Sequence, residues 1–107
     1  MAKYLSLCSY TSAAWAAQIK EPRNRLEVVR PLFERLGGSI ESAYLAFGEY
    51  DIVIISEMPD NVSSAALSIA VSAGGAVSIK TIPLISFEEG MEALKKAGEL
   101  SYIPPGS

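Results

Sequence analysis

Histidine is missing altogether from this chain of 107 residues. That removes the side chain that most often acts as a general base near neutral pH and most often ligates zinc. Cysteine occurs once, as Cys8, so no internal disulfide can form and a cytoplasmic location is expected. With no histidine to activate it, Cys8 is a poor candidate for a nucleophile. Carboxylates are present, but none fall at metal-ligand spacing, and the Gly-Gly pairs read as helix stops rather than phosphate loops. No metal and no cofactor are expected. Nine Lys and Arg against 12 Asp and Glu leave a net charge of −3, and no basic run stands out, which argues against a nucleic-acid surface. The apolar runs are short and broken, well below the roughly 18 residues that cross a membrane. No basic stretch followed by an apolar block opens the chain, so no export signal is expected.

What the sequence has in quantity is apolar surface. Half of its residues are hydrophobic and the mean hydropathy is +0.25, which is rich for one small domain. Such an excess is expected to be hidden by self-association. Lys3 to Tyr10 alternates as a strand, with Leu5 and Leu7 on one side and Tyr4, Ser6, Cys8 and Tyr10 on the other. A short alanine-rich helix follows, capped by Thr11 or Ser12 and running to Lys20. From Arg23 to Leu36, Leu26, Val29, Phe33 and Leu36 recur at helical spacing; Pro31 is expected to bend or split this helix. Ser39 to Phe47 and Asp51 to Glu57 read as a strand pair turned at Gly48. Pro59-Asp60-Asn61 caps a helix from Val62 to Ala73, with Val62, Ala66, Ile69 and Ala73 as its apolar face. Ala76 to Ser86 reads as a fourth strand; Pro83, which cannot donate to a ladder, places it at a sheet edge or sits at a bulge. Ser86-Phe87-Glu88-Glu89 is a capping-box pattern opening a last helix to about Lys96. A domain over residues 1–99 and a tail over 100–107 result.

The order β-α-β-β-α-β with a trailing helix predicts an α+β, ferredoxin-like fold with an antiparallel four-stranded sheet. Right-handed crossovers place both crossover helices on one sheet face. The other face, read as carrying Tyr4, Cys8 and Tyr10, is left bare. If it exposes several hundred Å² of apolar atoms, covering it is worth on the order of 10 kcal/mol, comparable with the whole stability of a small domain. A homodimer or higher oligomer through that open face, forming a dimeric α/β-barrel, is the expected arrangement.

Gly48-Glu49-Tyr50-Asp51 before an apolar strand, then Pro59-Asp60, then Gly74-Gly75 ahead of Lys80-Thr81, resembles the GYD-domain family. Tyr10-Thr11, Trp15, Lys20, Pro22, Arg25 and Gly37-Gly38 are similar to one bacterial branch of it, and the likeness runs from about Lys3 to Ala97. The resemblance implies a dimeric α/β-barrel and little about activity. The turn-strand pattern also resembles the ligand-binding domain of Lrp/AsnC-type regulators, although the DNA-reading helix-turn-helix of those proteins is absent. Cofactor-free monooxygenases share the fold class only.

Three groups of residues are candidates for function. Gly48, Tyr50 and Asp51 read either as a hairpin tip, with Asp51 satisfying turn amides, or as a hydroxyl donor and a carboxylate at a pocket between subunits. Lys20, Arg23 and Arg25 crowd one connection; they either pair with Glu21, Glu27 or a partner chain, or capture an anion beside Trp15. Tyr4, Cys8 and Tyr10 are interface filler or the wall of a cavity. The favoured reading is a non-catalytic oligomer binding a protein partner or a small apolar or anionic molecule, the latter near Tyr4, Tyr10, Trp15, Lys20, Arg25, Tyr50 and Asp51, with no nucleic-acid or membrane partner. A cofactor-independent monooxygenase or isomerase using the same space, and a ligand-free interaction module, are the alternatives.

Overall fold

In a computed structural model that describes residues 1–106, the chain forms β1 (Ala2–Tyr10), α1 (Ser12–Lys20), α2 (Arg25–Arg35), β2 (Ser39–Leu45), β3 (Ile52–Met58), α3 (Asn61–Ala73), β4 (Val77–Leu84) and α4 (Phe87–Gly98). Ser107, the end of the expected tail, lies outside the described residues. The strands form one sheet in the order β2-β3-β1-β4, with all three pairings antiparallel. This is the expected ferredoxin-like α+β arrangement. Pro83 sits on β4, an edge strand, where a missing N–H interrupts no ladder.

Local signals set the element boundaries. Thr11, Asn24, Asp60 and Ser86 each cap a helix by accepting a backbone N–H, and Ser86 and Glu89 complete a reciprocal capping box. Pro31 lies inside α2 without splitting it. Gly48 turns the β2–β3 hairpin at φ 133°, a region closed to most side chains. The second strand stops at Leu45, short of Phe47, which is almost fully exposed at the hairpin.

The core lies between the sheet and one helix layer. Phe33 of α2 and Leu67 of α3 pack with Tyr4, Ile54 and Met58. This corrects the expected sidedness of the sheet. Tyr4, Ser6 and Cys8 are buried beneath the helices and do not line the bare face. That face carries Leu5 and Leu7 instead, with their neighbours Val53, Ile55, Ile82 and Lys80. The reason is that small hydroxyls are used as core here. Ser6, Ser56 and Ser64 are all buried, Ser68 Oγ lies 2.7 Å from Thr81 Oγ1, and the Tyr4 hydroxyl donates to Asn61 Oδ1. Among the described residues no buried side-chain nitrogen or oxygen lacks a partner.

The same effect turns α3 about its axis. Ser64, Leu67, Ser68 and Val71 face inward, whereas Val62 and Ile69, expected on the buried face, are exposed. The α2 stripe is as expected, with Phe33 buried and Leu26, Val29 and Leu36 half-buried.

The tightest backbone approach is at Gly38, which leads from α2 into β2. A Cβ there would stand 2.3 Å from the Met58 sulfur and 2.5 Å from the Glu57 carbonyl oxygen. The sulfur could move, but the carbonyl belongs to the sheet. Gly38→Ala is therefore expected to cost about 1–3 kcal/mol as overpacking. Gly90→Ala, with no atom within 4 Å inside α4, should gain about 0.5–1 kcal/mol. Urea midpoints of the two variants check both signs.

Candidate functional site

Between the helix-facing side of the sheet and the three helices over it lies a cavity of about 740 Å³. Its floor is Cys8, Ile52, Ile54 and Ile79, and its walls include Leu26 and Val29 of α2 and Leu67 and Val71 of α3. Such a volume with mostly apolar walls falls within the range of small-molecule sites. The cavity exists because α2 turns only part of its apolar stripe into the core. Phe33 is buried, but Leu26 and Val29, nearer the N-terminus, border open space.

Polar groups gather where α1 meets α2. Tyr10 and Trp15 stand with ring centroids 4.9 Å apart at a 59° tilt, a favourable aromatic geometry. Gln18 holds the connecting loop on both sides, its Oε1 accepting from Arg23 N–H (3.2 Å) and its Nε2 donating to Arg23 O (3.4 Å). Asn24 spends its Oδ1 on Leu26 N–H as the α2 cap. Arg23 and Arg25 also line the cavity. Among the described residues the one ion pair within 4.0 Å is Lys3–Glu41, so neither arginine is neutralised by Glu21 or Glu27. The cavity lining contains no carboxylate.

The expected site residues thus separate into two groups. Tyr10, Trp15 and Arg25 come together at the cavity; Lys20, exposed at the end of α1, does not line it. Tyr4 is core. Tyr50 and Asp51 lie at the β2–β3 turn, away from the lining. Tyr50 Oη accepts from Lys80 Nζ at 3.2 Å, which raises the lysine pKa above its ordinary value. Asp51 satisfies no turn amide: its Oδ2 accepts from Tyr10 N–H at 2.8 Å, and its own N–H donates to Cys8 O at 2.8 Å. It ties the end of β1 to the hairpin and so holds Tyr10 at the cavity.

Missed by the sequence reading were Leu26, Ile52, Ile79 and Val71 as lining, and the helix side as the location of the pocket. An apolar strand residue looks the same facing a full core or a hollow one. Gln18, five residues before Arg23 across Pro22, was the available polar signal.

Cys8 shows how dry the floor is. Burial pushes its thiol from 9.0 up to about 11. A thiol in that state is not a thiolate near neutral pH and cannot act as a ready nucleophile. Among the described residues no cluster of three His, Cys, Asp or Glu side chains occurs, and no helix is long and apolar enough to cross a membrane.

Fold and site together define a ferredoxin-like α+β domain with a hollow, arginine-edged core. A family model, the GYD domain, matches residues 4–94, and the chain belongs to the GYD-domain family. Comparison with curated proteins and with solved structures gives no match. Asp51 lies within the matched residues, and its observed work is structural.

Two predictions follow from this geometry. Removing the charge-assisted bond by Asp51→Ala should destabilise the protein by about 1.5–3 kcal/mol in chemical denaturation, with Asp51→Asn losing less. The second concerns pH. The thiol is protonated in both states below pH 9, so its favourable contribution is intact there; it is lost as pH rises from 9.0 toward about 11, where the unfolded chain ionises first. The stability difference between wild type and Cys8→Ala should therefore shrink by about 1–3 kcal/mol across that interval, read from urea titrations at stepped pH.

Proposed function

We propose that this protein is a non-catalytic small-molecule-binding module that works as a homodimer and takes an apolar molecule with an anionic head into the helix-side cavity. The observation that carries this reading is the pairing of a roughly 740 Å³ apolar hollow with two arginines, Arg23 and Arg25, that have no carboxylate partner among the described residues. Guanidinium groups suit a carboxylate or phosphate because their planar fork can bind two oxygens at once. Trp15 and Tyr10 offer flat walls beside that head group. The absence of any carboxylate in the lining, and the protonated state of Cys8, leave the cavity without an evident base, which favours binding over turnover. The homodimer is proposed through the open sheet face, where Leu5, Leu7, Val53, Ile55 and Ile82 form an apolar centre flanked by the Lys3–Glu41 and Lys80–Tyr50 pairs.

Thermal shift with decanoate and decanol tests the ligand class. Decanoate in large excess over its dissociation constant should add about 2.7 kcal/mol of stability, a shift of several degrees, and decanol clearly less. Arg25→Ala should remove the advantage of decanoate. Ala43→Phe, which fills the cavity from β2, should abolish both responses. No shift from either molecule, with the arginine and cavity variants indistinguishable from wild type, would sink the proposal.

A further inference from the structure

Among the described residues helix α4 makes no extended contact with any other element of its own chain. Of its 12 residues none is buried, and Phe87, Met91 and Leu94, spaced along one side, are 97%, 54% and 66% exposed. The segment after it adds Leu100, Tyr102 and Ile103, all about three-quarters exposed. Yet α4 is carefully built. It carries a full capping box, acids in its first turn and Lys95 and Lys96 in its last, each matched to the helix dipole. A helix this short is marginal in water by itself, so its order must be supported by packing.

The size of the missing contact can be read from the surface. The chain exposes 7806 Å², against about 5,800 Å² for a compact monomer of its mass. Its radius of gyration is 17.4 Å, against about 13 Å for a compact chain of this length. The surplus of roughly 2,000 Å² exceeds the roughly 800 Å² that each partner contributes to a standard interface. Charge decides what kind of surface it meets. The polar side of α4 carries Glu88, Glu89 and Glu92 against Lys95 and Lys96, whereas helices that lie on lipid are rich in Lys and Arg. The arm is also continuous with the open sheet face. Ile82 and Leu84 occupy the register positions opposite Leu5 and Lys3 on that face, and Phe87 follows three residues later.

We infer that α4 and the segment after it form an arm that docks on a second copy of this chain, each copy clasping the other. The arm extends the sheet-face dimer proposed above and rests on that reading for the identity of its partner. A copy stacked on the open face lies within reach of the Phe87–Met91–Leu94 stripe, and the two-fold symmetry of such a pair makes the embrace mutual.

Sedimentation equilibrium of the full chain at micromolar concentration gives the test. Wild type should be dimeric. Leu94→Glu and Phe87→Glu should raise the dissociation constant by roughly tenfold or more, while Glu92→Gln on the polar side should leave it unchanged. Because no residue of α4 is buried in the protomer, decanoate binding should stay near wild type in both arm variants, and circular dichroism should lose no more than the signal of the 12-residue α4. Intermolecular NOEs from the Leu94 methyls in a mixed labelled–unlabelled sample should cross the dimer. A dimer weakened by Ile82→Glu but untouched by Phe87→Glu and Leu94→Glu would overturn the arm and keep the sheet face. A wild-type monomer would overturn both, and NOEs from Leu94 only to its own chain would show the arm folding back instead.

Discussion

Ser6 and Ser56 on the sheet and Ser64 on α3 are buried on the sides of those elements that face one another. Ser68 and Thr81 share a hydrogen bond at the margin of the same contact. Small hydroxyl side chains allow a helix to approach a sheet closely, and they carry partners with them, so burial leaves no orphaned group. From this contact the remaining geometry follows. It commits the even-numbered residues of β1 to the helix side and the odd-numbered ones to the open side, since a strand cannot exchange one face without exchanging all of it. Leu5 and Leu7 are thereby left without cover. Cys8 becomes the floor of a cavity.

Most of the fold could be read from the residues. Helical spacing in Leu26, Val29, Phe33 and Leu36, the caps at Thr11, Asp60 and Ser86, the Gly48 turn and the edge position of Pro83 each reflect a local physical demand met by few residue types. Sidedness could not be read so. In β1 both candidate faces were plausible, and Ser6 between Tyr4 and Cys8 made the true inner face look wet. In α3 the larger side chains Val62 and Ile69 pointed to the wrong stripe, because the inner stripe is built from serines whose burial depends on what lies opposite. Propensity and period describe one element; the partner of an element is a property of the assembled whole.

The candidate site divided along the same line. Arginines crowded in one connection, with an aromatic nearby, were visible because charge in an acidic chain is conspicuous. Which residues share a space was not. Asp51 is bonded to Tyr10 and Tyr50 to Lys80, yet of the three expected residues only Tyr10 reaches the cavity. Asp51 therefore stands one step behind the site. By holding the last residue of β1 against the hairpin, it fixes the tyrosine whose ring packs at a tilt against Trp15. Its Oδ2 is engaged by that task, at a joint between β1 and the hairpin.

Electrostatics and apolar surface point to opposite ends of the protomer. The arginines and the cavity edge lie toward the end where β1 finishes and β4 begins, near Tyr10 and Val77, which pair across the sheet. The arm leaves from the other end, where Lys3 pairs with Leu84. A subunit contact through the arm and the open face therefore leaves the arginine edge free to receive a solute, and ligand binding and assembly need not compete for the same side chains. The sheet links the two ends, and its two faces are inseparable in register. β1, whose residues alternate between the two faces, sets the cavity floor at Cys8 next to the open face at Leu7.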